Sequence, residues 1–477
     1  MPDPTFNEAN VRHLLRRAEF VDRPARVGEL LALGSMAAAV DNVMAVVANP
    51  PSVAFASAQD WQRSVELTHF WMDRMAFDSP RPLQEKMAFF WHGHFCSEYG
   101  KVGDAEQMRL QIDLFRTSGL GNVRSLAKSM STQVAMLRYL DNNQNKKSSP
   151  NQNFARELME LFLLGVGNYS EADVEASAAA WTGHSDQWDD KVAPYRWQAT
   201  WHDGSVKSFL GATINQAGTD PMLHGPETID VMLGAGRVPS GASIVANRGR
   251  STREVAAEFL TRKLWTAFAT DTAPPAAVAV AMRDALLGAD FDVRPWVRAM
   301  LMHPDFYSDG VKAGLVRSPV EFTVALQVAT SRRSADANVI WLMEGMGQRP
   351  LFPPNVSGWR PNGYWINASA AENRGRVVQQ FVWASSRTYW SAPNQSGVIS
   401  LAGGQISNGE ITARGPWPTY VPVMSATQLV DRFLQLTGLA VGATTYDELV
   451  AFATRATVWE RQDALLLLLL APDMHVA

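Results

Sequence analysis

The chain carries a single cysteine among 477 residues. Cys96 alone can form neither an internal disulfide nor a thiolate zinc site. An excess of one charge is also missing. The 43 Lys and Arg stand against 47 Asp and Glu, a net charge of −4 with no basic tail or stripe, which argues against general nucleic-acid binding. Long apolar runs are absent. LLLLLL at 465–470 is the longest, far short of the ~20 residues of a membrane span. Residues 1–20 lack a charged start, an apolar stretch and a cleavage site, so no signal peptide is expected. The sequence as given reads as soluble and cytoplasmic, with export reserved for a chain whose leader has been removed. There is no H-E-x-x-H, P-loop, G-x-S-x-G or Rossmann fingerprint, which sets those chemistries aside. Glu157 and Glu160 do not form the Glu-x-x-His pair of di-iron bundles.

What is present is helical periodicity. Leu83, Met87 and Phe90 share a helical face, as do Trp61, Leu67, Phe70 and Trp71 in an earlier stretch. Hydrophobic content of 46% provides a sizeable core, and 19% charged residues make long disordered tails unexpected. The expected fold is mainly α: one large helical body over residues 1–477, with long Trp/Pro/Gly-rich loops forming one face. Two departures are expected, a loop or hairpin excursion at 185–225 and a mobile Gly/Ser/Pro-rich excursion at 391–417. Sixteen Trp suit aromatic packing first and a glycan or aromatic-ligand cleft second.

The most tightly patterned stretch is 141–184, read as a polar loop, a helix, a turn and a second helix. Asp141, Asn142, Asn143, Asn145, Lys146 and Lys147 precede Ser148, Ser149 and Pro150, which break regular structure. Asn151 is a candidate N-cap. Phe154, Leu158, Leu161, Phe162 and Val166 supply the apolar stripe, and Gly165 or Gly167 ends the helix. Asn153, Glu157 and Glu160 fall on one face. Arg156 is placed to pair with Glu160. Two carboxylates three residues apart repel unless a cation, a proton or an arginine lies between them. Ser170 is the candidate N-cap of the second helix.

Histidines form the next constellation. His92 and His94 share a face only in an extended chain, because on a helix they diverge by about 200°. His-x-His in extended structure can ligate a divalent metal. His202 and Asp203, in WHDGSVKSFLG, would bring an imidazole and a carboxylate, while Asp-Gly there also signals a turn. Ser251 with Glu254, and Ser318 with Pro319, mark further helix starts.

The stretches HLLRRAEF (13–20), FWHGHF (90–95) and DNNQNKKSSPNQNFARELMELFLLGVGNYSEADVEASAAAWTGH (141–184) come in order. HDGSVKSFLG (202–211), EFLTRKLW (258–265), VRSPVEF (316–322) and GQRPLFPPNVSGW (347–359), with Trp365-Ile-Asn beyond, follow them. Through these the chain resembles the bacterial family catalogued as domain of unknown function 1800, over nearly its whole length. The resemblance implies no settled activity. Such proteins often occur beside sulfatase- or phosphatase-like proteins, which implies envelope or polysaccharide chemistry. Where they usually carry Glu after the Pro-Asn pair, this chain has Gln152.

Two functions are carried forward. The first is a hydrolase acting on a polysaccharide or other polar substrate, with a carboxylate-centred, metal-assisted site. Glu157, Glu160 and Asp141 would be its acids. His92, His94, His202 and Asp203 would be metal ligands or proton relays. Asn142, Asn145, Lys146, Asn153 and Arg156 would hold substrate, with Trp181, Trp201 and Trp359 as sugar-binding walls. The alternative is a non-catalytic ligand-binding or assembly protein with a structural acid/Arg network. An open shared cleft favours the first, and carboxylates sealed against arginines favour the second.

Overall fold

Pro82 at a helix start and an apolar face of Leu83, Met87, Ala88 and Trp91 draw one helix through the centre of the molecule, all four side chains fully buried. The computed structural model describes residues 3–186, 195–216, 218–234, 250–330, 332–337, 339–360, 362–390, 399–401, 404–406, 425–437, 439–456 and 463–476. It is 65% helix and 5% strand, so the mainly α expectation is met. The helices that position the site are α1 (Glu8–Glu19), α2 (Pro82–His94), α3 (Gln152–Glu157), α4 (Glu171–Ala180), α5 (His224–Leu233), α6 (Thr252–Phe268), α7 (Pro319–Thr330) and α8 (Ala368–Trp390). No described helix is long and apolar enough to cross a membrane. The leucine run lies in the short helix Asp463–Leu470 and buries Leu465, Leu468 and Leu469.

Local chemistry starts these helices where the sequence signals it. The Asn151 side chain accepts from the Asn153 N–H at 2.9 Å. Ser170 with Asp173 and Ser251 with Glu254 form reciprocal capping boxes. Each satisfies two N–H groups that have no partner within the helix.

The excursion expected at 185–225 consists of two antiparallel hairpins. Strand β1 (His184–Asp186) pairs with β2 (Tyr195–Trp197), and β3 (Lys207–Phe209) with β4 (Ala212–Ile214). Trp188, Asp189 and Asp190 lie outside the described residues. So does most of 391–417, of which two short antiparallel strands, Ile399–Leu401 and Gly404–Ile406, are described.

Candidate functional site

The helix opened by Asn151 is not regular to its end. After α3 the backbone widens into a π-helical turn over Leu158–Leu163. π-Bulges of this kind often mark functional sites. Gly165 and Gly167 then reverse the chain at φ +86° and +79°. Phe154, Leu158 and Phe162 are buried as the stripe predicts, but Val166 is 75% exposed and is not part of it.

The acids are brought together differently from the sequence reading. Arg156 does not pair with Glu160 among the described residues. It reaches across the hairpin to Glu171 at 2.7 Å. Side-chain direction decides this, since Glu171 in the first turn of α4 faces back toward α3. The Tyr169 hydroxyl donates to the Glu160 carboxylate. Glu157 is half-buried and has no hydrogen bond or ion pair among the described residues. Burial first, and Glu160 second, push its carboxyl above the ordinary range. Asp141 is in the left-handed region at φ +59° and pairs with Lys101 at 2.8 Å. Gln152 lies 3.5 Å from Arg156.

Asn142 and Asn145 of the Asn-rich loop are scaffold, which corrects their assignment to substrate. Asn142 and Asn145 are fully buried. The Asn145 amide donates to Asn142 Oδ1 and to the Ala178 carbonyl, and its oxygen accepts from the Asn151 N–H. The loop thereby ties α4 to the start of α3. The buried Asn145 amide is satisfied in this way and avoids the full cost of desolvation, while the buried Asn142 Nδ2 has no partner among the described residues. Asn153 is exposed and donates to the Leu140 carbonyl. Lys146 is exposed and sits 3.9 Å over the Trp201 ring. Trp181 is corrected too: it is fully buried, its indole N–H donates to Thr228, and the Gly225 backbone lies against its ring.

His92 and His94 do not share a ligand position, because α2 remains helical through both. His92 Nε2 accepts from the Leu351 N–H at 3.1 Å. His94 Nε2 donates to the Phe162 carbonyl at 2.8 Å, pinning the π-helical turn to α2. Burial lowers both imidazoles to a pKa of about 3. His202 bonds the Thr182 carbonyl through Nδ1 and His224 through Nε2, the latter at 2.9 Å. Asp203 closes a turn onto Ser205 and Lys207. Among the described residues no three His, Cys, Asp or Glu side chains are grouped to hold a metal ion.

The hollow opens elsewhere. A cavity of about 220 Å³ lies between α2, α6, the start of α7 and the loop 347–365. Phe89, Phe90, Gly93 and His94 form one wall, and Lys263 and Phe268 the second. Ser318, Glu321 and Gln348 form the third, with Trp359 and Trp365 as a roof. Leu161, one turn after Glu157, reaches it from the π-helical segment. Of the residues predicted for the site, His94 and Trp359 therefore line the cavity, and the acids do not.

Close approach of the loop to α2 forms the roof. A Cβ at Gly358, where φ is +79°, would stand 2.3 Å from the Gly93 carbonyl, so only glycine fits. The Trp359 ring stacks on Phe89 at 6.2 Å and packs edge-on to His92 at 5.4 Å. Cys96 lies beneath, fully buried, its thiol donating to the Gly93 carbonyl and pushed up to about 12 by burial. An inert thiol follows.

Lys86, Lys263 and Glu321 are the charged residues of the cavity, and sequence reasoning did not single them out. Lys86 donates to Glu321. Ser318 and Glu321 also close a capping box at the start of α7, the Ser318 N–H giving 2.8 Å to Glu321. Their signal was a charged residue on an otherwise apolar helical face: Phe259 and Lys263 are one turn apart on α6.

A family model described as a protein of unknown function (DUF1800) matches residues 13–476. No curated protein and no solved structure matches the chain. Matched over nearly its whole length, the chain belongs to the DUF1800 family.

Proposed function

We propose that the cavity is the functional site and that the protein works by binding a small ligand there. One observation carries this reading. Stretches far apart in the sequence, each part of the family resemblance, meet at the cavity wall: Phe90 and His94, Leu161, Lys263, Ser318 and Glu321, and Trp359. A concave, largely aromatic site with a few converging polar groups is the usual form of a small-molecule pocket. The acids that would make the hairpin catalytic are set apart from it, one held by Tyr169. The test is a thermal-shift screen of small polar compounds, sugars included, on the native protein and on Trp359→Ala. Ligands that stabilise the native protein should lose most of that effect in the variant. Equal stabilisation of both would sink the proposal.

A second reading, hydrolysis of a polysaccharide or other polar substrate, is favoured by Glu157. A half-buried carboxyl with a raised pKa and no partner suits a general acid. Glu157→Gln should then abolish any glycan or ester cleavage detected with the native protein, a loss of at least ~100-fold, at an unchanged melting temperature. Retained turnover would remove this reading.

A further inference from the structure

We infer that the cavity selects a small organic monoanion, its charge held by the Lys263 ammonium and its apolar body by the aromatic wall. This rests on the reading of the cavity as a ligand site. The half-buried Lys263 ammonium has no hydrogen bond or ion pair among the described residues, and it lies 5.4 Å over the Phe259 ring. Burial pulls its pKa down. An ammonium partly stripped of water and given no counter-charge among the described residues is costly, and a carboxylate arriving from solution would offset that cost with a charge-assisted hydrogen bond.

The surrounding charges exclude a cationic ligand. Lys86, the other cation of the cavity, is already matched by Glu321. Behind that pair lie Arg17, Arg317 and Arg374, all buried. Their guanidinium groups reach backbone carbonyls: Val311 at 2.6 Å, Met474 at 2.8 Å and the Arg317 carbonyl at 2.7 Å respectively. Glu321 and Asp22, which also acts on Arg317, are thus shared by more positive charge than they can neutralise, and in a low-dielectric wall the excess projects into the hollow. His94 adds no second free cation. It donates Nε2–H to Phe162 and is held neutral by burial. One unmatched ammonium therefore fits one negative charge, a carboxylate before a phosphate. Phe89, Phe90, Phe268 and Trp359 favour a flat or aliphatic body beside it.

Calorimetry on the full chain tests this with 2-naphthoate, its neutral counterpart 2-naphthamide, and phenyl phosphate. The variants are Lys263→Met, Lys263→Arg and Trp359→Ala. Naphthoate should bind about ten- to hundredfold more tightly than naphthamide. Lys263→Met should erase that preference while leaving the amide's affinity unchanged, and Lys263→Arg should keep part of it. Because it removes an unpartnered, half-buried charge, Lys263→Met should also fold at least as stably as the native chain. Equal affinity for acid and amide in the native protein would overturn the anion inference and leave the cavity standing as a site. Tighter binding of phenyl phosphate would overturn the monoanion assignment. No binding by any of the three, or binding indifferent to Trp359→Ala, would bring down the cavity reading as well.

Discussion

Glu321→Gln removes one negative charge and almost nothing else. The glutamine amide oxygen still caps the Ser318 N–H, so helix α7 keeps its start. What is lost is the counter-charge of a buried cationic group. Lys86 retains 6% of its side-chain exposure and Glu321 15%, the latter toward the cavity. Burial would push the Glu321 carboxyl up, yet Lys86 and the Ser318 hydrogen bonds hold it below its ordinary range. For Lys86 burial wins despite Glu321, with Arg17 and Arg317 adding to the depression. Both groups are lowered, and both feel one cause, an excess of positive charge around Glu321. Breaking a buried pair from one side costs about 3–5 kcal/mol, and the neighbouring guanidiniums put this case at the upper end. Urea unfolding at pH 7 would measure it. The double variant Lys86→Met/Glu321→Gln should cost far less than the two single changes added together, because the orphaned charge is gone. The difference between native and Glu321→Gln should also depend on pH. A carboxyl whose folded pKa is depressed contributes its stability above the unfolded value, and that contribution disappears as pH falls through the folded pKa. The gap should therefore be flat near neutrality and narrow on acidification. A cost below about 1 kcal/mol at pH 7, or strict additivity in the double variant, would refute the reasoning.

Two more perturbations follow from the same geometry. His92 and His94, at about 3, and His224, at about 4, are all depressed by burial from 6.5. The unfolded chain takes up those protons first, so stability should be full above pH 6.5 and decline toward pH 4, by up to ~1.4 kcal/mol per pH unit for each histidine. A melting temperature constant from pH 7 to pH 4 would contradict this. Gly358→Ala forces a Cβ against the Gly93 carbonyl at positive φ. It should cost about 1–3 kcal/mol and weaken any ligand of the cavity, and an unchanged melt with unchanged binding would show that the loop tolerates the side chain.

Local rules carried much of the fold. Asn151, Ser170, Ser251 and Ser318 begin helices because a short polar side chain and the backbone two or three residues on satisfy each other without help from the rest of the chain. The apolar stripe of α3 and of the turn beyond it follows from helical spacing, though not the π-helical widening, which His94 pins from another element. The same composition that marks a polar loop as a site also suits a buried scaffold, and Asn142 and Asn145 are the second. Only burial separates the two.

The sequence by itself determined the helical class, the family and most helix starts, since these depend on neighbours three or four residues apart and on composition. The tertiary structure alone decided where the charges meet. Lys86 finds Glu321 across 235 residues, Arg156 turns to Glu171 rather than to Glu160, and Lys263 finds no counter-charge among the described residues. An ion pair forms between whichever groups packing brings within a few ångströms, and separation along the chain carries no record of that.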